Sequence, residues 1–299
     1  MKKRSKLWLR SGLLFGILIL LFSQGFGWGF LGHKMIHRQA LKALPQEVRP
    51  FFEKHREYLV EHSIDPDLWR KNDPKEGNRH YIDIDVYGKY PFKELPRDYE
   101  AAVKKFGKDK IEENGIAPWW IVREYKQLVK AMRKRKTRAI LRHASALGHY
   151  VADLHMPLHT TENYDGQLTG NHGIHRRFER DMIEIYASKL KFDVQPARYI
   201  SDPLNFIFDV ILQSYRYVDD ILKADDNSKI KGKKYEKHED YDQIYYSRLF
   251  KQTGKLAQRQ MSRAASAIAS LWYSAWVDAG KPKLLSSEIE SQTHGTVKF

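Results

Sequence analysis

The sequence predicts an all-α fold, built as a single multi-helix domain, on three observations. Apolar residues recur at spacings of three and four along most of the chain, the period of a helix with one buried face. Prolines and charged stretches fall between those segments, where helices start and stop. Alternation of the β type occurs at Tyr81-Ile82-Asp83-Ile84-Asp85-Val86-Tyr87 and stands alone. A lone extended run has no partner strand, so it is read as a loop or an isolated extended piece.

His33 to Leu44 reads as the first helix: Met35, Ile36, Ala40, Leu41 and Leu44 line one face, and Pro45 stops it. Gln46 to His62 gives the second, with Val48, Phe51, Phe52, Tyr58, Leu59 and Val60 apolar. Pro118 sits where prolines open helices. Trp119, Trp120, Val122, Tyr125, Leu128, Val129 and Met132 follow it as a stripe above a lysine-rich face. Thr137 to Leu154, Ile174 to Leu190, Pro203 to Leu222 and about Tyr241 to Ala279 complete the set. Lys229 to Asp240 is a charge-dense connection and the weakest part of the predicted fold. Residues 281–299 are polar and aperiodic and are expected to form a disordered tail. No repeat and no second composition appear between Trp28 and Gly280, so residues 28–280 read as one domain.

Residues 1–27 carry a different signal. Lys2, Lys3, Arg4, Lys6 and Arg10 precede an apolar run from Leu13 to Phe22, and small residues follow up to a cut before Trp28. That is the pattern of a cleavable export signal, too short for a membrane span of roughly twenty apolar residues. The protein is therefore expected to be periplasmic or secreted. Loss of these five basic residues takes the net charge from +15 to +10, a surplus that suits an anionic substrate or surface such as phospholipid headgroups or nucleic acid. There is no cysteine, which excludes disulfides and thiolate zinc sites and leaves the core and metal to stabilise an exported chain.

The chemistry concentrates between His149 and Glu179. His149 and Asp153 lie four apart, so both project from one helix face. Pro157 ends that helix, and His159 turns a third donor back toward it. His175 and Glu179 repeat the four-residue spacing. Imidazole with carboxylate is the usual donor set of catalytic zinc. These residues exceed what one tetrahedral ion takes, and further donors lie upstream: Trp28 through a freed α-amine and its carbonyl, His33, a carboxylate in Ser63-Ile64-Asp65-Pro66-Asp67 and an imidazole in Asn78-Arg79-His80-Tyr81-Ile82-Asp83. A cluster of two or three metals follows, an arrangement suited to displacement at phosphorus. His143, His155 and His172 are candidates to orient ligands. His37, His55, His62, His238 and His294 read as surface residues.

The order of these elements resembles the trinuclear-zinc phosphodiesterases, that is, the bacterial zinc-dependent phospholipases C and the single-strand-specific zinc nucleases. An N-terminal Trp, an early His, a loop Asp, His-Tyr-Ile-Asp, His-x3-Asp-x5-His and His-x3-Glu occur here in that order between Trp28 and about residue 280. The resemblance implies an all-α domain with its metal cluster in a cleft between helices, and three zinc ions. Asp65, His80, His149 and Asp153 would hold one, and Trp28, His33 and a bridging Asp153 a second. His159, His175 and Glu179 would hold the third. It also implies attack by a water activated between the metals, with Asp65 and Asp153 as the catalytic carboxylates. Tyr81, Asp83 and Arg70 are candidates for substrate contact. The basic residue that the family places shortly after the loop Asp is out of register, with Leu68 in its place and Arg70 two residues further on.

Trp28-Gly29-x-x-Gly32-His33 and Gly170-Asn171 look like the nuclease branch, whereas Glu179 looks like phospholipase C. The sequence thus favours, narrowly, a monomeric phospholipase C-like phosphodiesterase that contacts a membrane surface. A single-strand nuclease or 3′-nucleotidase is the alternative within the superfamily. A non-catalytic zinc-stabilised lipid- or surface-binding module is the alternative outside it, and such a module would be expected to have lost a ligand.

Overall fold

The computed structural model describes residues 28–284; the expected export signal and residues 285–299 lie outside the described residues. Helix α1 (Gly29–Ala43) begins four residues before the expected start at His33. The helix expected from Gln46 to His62 is two, α2 (Arg49–Lys54) and α3 (Arg56–Glu61), because the backbone leaves helical geometry at His55. A 3₁₀ turn at His62–Ile64 leads into α4 (Asp65–Trp69), where a loop was expected. The alternating run near residue 81 is a loop: residues 81–83 belong to no regular element, and Ile84–Tyr87 forms a 3₁₀ turn. It is pinned by Ile82 N–H to the carbonyl of His159 (3.0 Å) and by Asp83 N–H to that of Asn114 (2.8 Å).

Helices α5 (Tyr99–Phe106) and α6 (Lys108–Glu113) were not anticipated. Helix α6 buries only Ile111 and shows no stripe, whereas α5 carries a short one, Tyr99, Ala102, Val103 and Phe106 at i, i+3, i+4 and i+7, which was a usable signal. Helix α5 is started by Asp98, whose carboxylate accepts from Ala101 N–H at 2.9 Å, the usual service of an N-cap aspartate. Helices α7 (Ala117–Arg133) and α8 (Thr137–Leu154) pack along each other and occupy the expected spans. Helix α9 (Ile174–Arg176), a π-turn (Arg177–Asp181) and α10 (Met182–Tyr186) make up the segment that carries His175 and Glu179. The next expected helix divides into α11 (Pro203–Tyr215) and α12 (Val218–Ser228), and α13 (Gln243–Asp278) closes the fold. No strand occurs among the described residues, and none of their helices is long and apolar enough to cross a membrane.

Helix α8 lies at the centre: every residue from Ala144 to Leu154 is buried, under packing from α1, α3, α7, α11 and α13. Trp272 of α13 donates its indole N–H to the carbonyl of Ala144 (3.0 Å) and stacks on Phe52 at 5.0 Å. Helix α1 approaches α8 at a glycine. A Cβ on Gly148 would lie 2.3 Å from His37 Nε2, so only glycine admits this contact. The contact stacks His33 on His149, with ring centroids 4.1 Å apart. His37 is thus buried rather than on the surface. The surrounding burial holds it neutral, pushing its pKa down to about 3. His55, also expected on the surface, is 8% exposed.

A candidate metal centre

Three buried donor groups converge where α1, α4, α8 and the π-turn meet. The first contains His80, His149 and Asp153: His80 Nδ1 lies 2.9 Å and His149 Nε2 3.2 Å from Asp153 Oδ2. The second joins His33 and Asp67 to the same His149, and His33 Nε2 also lies 3.3 Å from Asp153 Oδ1. Thus the two oxygens of Asp153 face different imidazole sets. The third group is His159, His175 and Glu179, with the imidazole nitrogens 3.1 Å apart and Glu179 Oε2 3.0 Å from His175 Nε2.

The donors are oriented by their far sides. His149 Nδ1 sits 2.7 Å from the Ser63 carbonyl, His159 Nδ1 2.8 Å from that of His80 and His175 Nδ1 3.1 Å from that of Tyr164. Donation from Nδ1 leaves each Nε2 with its lone pair facing the group interior. His80 is reversed: Nδ1 faces inward, and Nε2 lies 3.4 Å from Oε1 of Glu76. Glu76 is buried, accepts from the Tyr150 hydroxyl and pairs with Arg79. Its carboxyl would be raised by burial, but His80, Tyr150 and Arg79 outweigh that and hold it below the ordinary range.

These side chains fit a cation. Buried polar atoms normally find partners, yet His33 Nδ1 and Nε2, Asp67 Oδ1 and Oδ2, Asp153 Oδ1 and Glu179 Oε2 have no hydrogen-bond partner here. Imidazole nitrogens 3.1 Å apart within one group match ligands of a shared ion, since zinc–nitrogen bonds of about 2.05 Å put tetrahedral ligands about 3.3 Å apart. Burial pushes the pKa of His149 down, but Asp153 and Asp67 outweigh it and lift the value to about 9. Burial would likewise raise Asp153 and Glu179, yet the neighbouring imidazoles hold both ionised. A divalent ion would displace the proton that His149 carries, so its affinity should fall as the solution is acidified.

Asp65 is not part of this arrangement. Its Oδ2 pairs with His62 Nδ1 at 2.8 Å, and its side chain is 29% exposed. Asp67 stands in its place, 2% exposed, with Oδ1 3.7 Å from both His80 Nδ1 and His149 Nε2. Residues two apart on a helix point about 200° away from each other, so the helical turn at α4 sends one carboxylate inward and the other out. The shift also restores register: Arg70 follows Asp67 by three residues, the place in the family pattern that Leu68 held relative to Asp65. We expect Asp67→Asn to lower bound zinc and Asp65→Asn to leave it unchanged. Metal content of the two purified variants checks this, and equal losses would return Asp65 to the site.

The remaining expected residues divide. Trp28 is buried, with its indole N–H donating to the carbonyl of Ala152 at 2.9 Å, beside Asp153. Arg70 lines a cleft of about 1010 Å³ whose walls include Asp67, His175 and Glu179. Tyr81 and Asp83 are not on those walls. The Tyr81 hydroxyl donates to the Glu113 carbonyl at 2.9 Å, and burial with nearby Asp85 and Glu162 pushes the Asp83 pKa up to about 7. Trp119 packs between Tyr99 and Phe208. Trp120 is covered on its two faces by Arg79 and Arg123, at 3.9 and 4.2 Å. The aromatic side chains on the cleft are Phe30, Tyr164, Tyr235 and Tyr241 instead. His143 pairs with Glu124 at 2.8 Å, and His155 Nδ1 bonds the Val151 carbonyl one turn back at 2.8 Å. Neither of them orients a ligand, whereas His172 lines the cleft.

Glu76 was not found from the sequence, although its four-residue spacing from His80 was a usable signal. Glu76→Gln preserves an acceptor for Tyr150 but removes the charge facing His80. We expect zinc affinity to fall roughly 10- to 100-fold, as for other partners of metal-bound histidines. Competition with a chromophoric chelator would measure it, and unchanged affinity would show that Glu76 serves only to hold Tyr150.

The sequence profile of the S1/P1 nuclease family matches residues 28–275, and the chain belongs to that family. Its members are zinc-dependent phosphodiester hydrolases. Among curated protein sequences, none matches the chain at a significant level. Among solved structures, it is similar to the alpha toxin from Clostridium absonum, with a TM-score of 0.54 and 13% identity. The similarity covers 88% of this chain and 66% of the toxin's, just under two thirds, and it concerns the fold.

Proposed function

We propose that this protein is an exported phosphodiesterase that hydrolyses single-stranded nucleic acid, with zinc ions at the three donor groups. The observation that carries the reading is the cleft whose walls include the donors Asp67, His175 and Glu179. Its wall places Arg70 and Lys71 close to Asp67, and Tyr164 close to His175. The Tyr164 and His175 rings are 6.0 Å apart, and Tyr164 is 46% exposed. Cationic side chains suit backbone phosphates, and an exposed aromatic ring suits stacking of an unpaired base. The family match supports the same choice. The sequence argument for phospholipase C-type cleavage rests on Glu179 in place of Asp, a difference of one methylene between two competent ligands. The non-catalytic alternative expected a lost ligand, and each donor group among the described residues keeps at least three candidate ligands.

Zinc bound here would activate water and neutralise charge on the phosphoryl oxygens. The chain's own residues do the rest. Asp153, with one oxygen toward each imidazole set, holds two of the donor groups in register. Asp67 takes the orienting role that the sequence assigned to Asp65. Arg70 meets the charge of the scissile phosphate from the cleft wall. In parallel assays of a chain starting at Trp28, single-stranded DNA should be digested in a zinc-dependent, salt-sensitive manner, and phosphatidylcholine vesicles left intact. Release of diacylglycerol without digestion of DNA would transfer the assignment to the phospholipase branch.

A further inference from the structure

His175 and Glu179 are carried by a segment with little helix of its own. Helix α9 is three residues long and α10 five, and the π-turn Arg177–Asp181 lies between them. Helices this short are not held by their own backbone bonds, and π-turns are rare and concentrate at functional sites. Arg177 stands midway between the two donors in sequence, so its side chain leaves the turn on the opposite face. That side chain is buried, with the residue 3% exposed.

What Arg177 meets there is a buried polar hub. Its guanidinium donates to the His172 and Asn171 carbonyls at 2.6 and 3.1 Å, to the Tyr245 hydroxyl at 3.1 Å and to Asp225 Oδ1 at 2.8 Å. Asp225, on α12, is fully buried. Its other oxygen accepts from Asn171 Nδ2 at 2.8 Å and pairs with Lys229 Nζ at 2.7 Å. The approach requires a glycine at 173: the backbone there has φ of +79°, and a Cβ would lie 2.8 Å from Arg177 Nη1. The entry to the turn is tied as well, since Asp165 accepts from the Gly173 and His175 N–H groups at 3.0 and 3.3 Å.

A buried ion pair is a poor source of stability, because desolvation offsets most of its attraction, whereas the rigid fork of a guanidinium fixes geometry. We infer that Arg177 and Asp225 are positioning residues for the third donor group: their pair anchors the π-turn from behind, so that His175 and Glu179 face His159 and hold zinc tightly. The inference rests on the reading above that zinc occupies this group. The groups around Asp153 are mounted elsewhere, on α1, α4, α8 and the turn that ends at His80. The dependence is therefore confined to one ion of the cluster.

The test is a zinc titration of the metal-free wild-type protein, Asp225→Asn and Arg177→Lys in competition with a chromophoric chelator. The step missing from His159→Ala marks the third group. In both variants that step should weaken roughly 10- to 100-fold, the range for losing a group that orients a metal ligand, while the other steps keep wild-type affinity. Lysine keeps the charge but not the fork of donors, so Arg177→Lys should not rescue the step. Turnover should fall at limiting zinc and return to the wild-type value at saturating zinc. Should these variants misfold, Tyr245→Phe removes one hydroxyl from the hub and should weaken the same step by a smaller factor. Wild-type affinity at that step in folded variants, or equal weakening of every step, would overturn the positioning role. A wild-type titration with no step that His159→Ala removes would instead refute zinc at this group, and the inference with it.

Discussion

Asp153→Asn is expected to lower turnover by roughly two to three orders of magnitude, the largest loss of any single change in the site. Asp153 is the one carboxylate whose two oxygens face different imidazole sets, Oδ1 toward His33 and Oδ2 toward His80 and His149. Asparagine offers one acceptor oxygen and no charge, so it cannot serve both sides. Two dications held close repel strongly in a buried site, and a shared carboxylate offsets much of that repulsion. The loss should be local in its metal chemistry. His159, His175 and Glu179 form a separate group and should keep their zinc, while the groups around residue 153 lose theirs. Metal analysis alongside turnover of single-stranded DNA checks both statements. Near-normal rate with full zinc content would remove Asp153 from its bridging role.

What was readable in the sequence was whatever follows from helix arithmetic. His149 with Asp153, and His175 with Glu179, needed only the four-residue spacing, and the structure keeps both pairs on one face. Asp65 against Asp67 could not be decided that way while the segment was read as a loop. Once α4 forms, the two carboxylates point in opposite directions, and only then does Arg70 fall into register. His37 lies four residues after His33 and shares its inward face. It was read as exposed because nothing local announces that α8 meets it at Gly148. Glu76 likewise becomes meaningful only when Tyr150, distant in the chain, closes over it. Long-range contacts, rather than local propensity, account for each of these differences. The cleft aromatics are a further case: Phe30, Tyr164, Tyr235 and Tyr241 are scattered along the chain, and no local spacing brings them together.

A chain that begins at Trp28 is expected to bind zinc more tightly at the His33 side of the cluster than one that retains any residue before it. A free α-amine is a good donor, whereas the same nitrogen in a peptide bond has no lone pair to give. The structure places the Trp28 side chain beside the helix that carries Asp153. Its indole N–H is fixed to the carbonyl of Ala152, next to Asp153, and its ring is buried against Phe178 with centroids 6.1 Å apart. His33, one turn further along α1, already faces Asp153. That side otherwise draws on His33 together with Asp67, His149 and Asp153, which also face His80, so a further donor of its own would strengthen its hold on an ion. Two forms of the protein should therefore be compared, one cut before Trp28 and one carrying a short N-terminal extension. The extended form should lose one zinc per chain to a competing chelator at concentrations that leave the cut form loaded, and its turnover should fall with that zinc. The separate group at His159, His175 and Glu179 should be unaffected in both. Three zinc ions retained with equal affinity, and equal turnover, in the extended form would show that the α-amine of Trp28 is not a ligand.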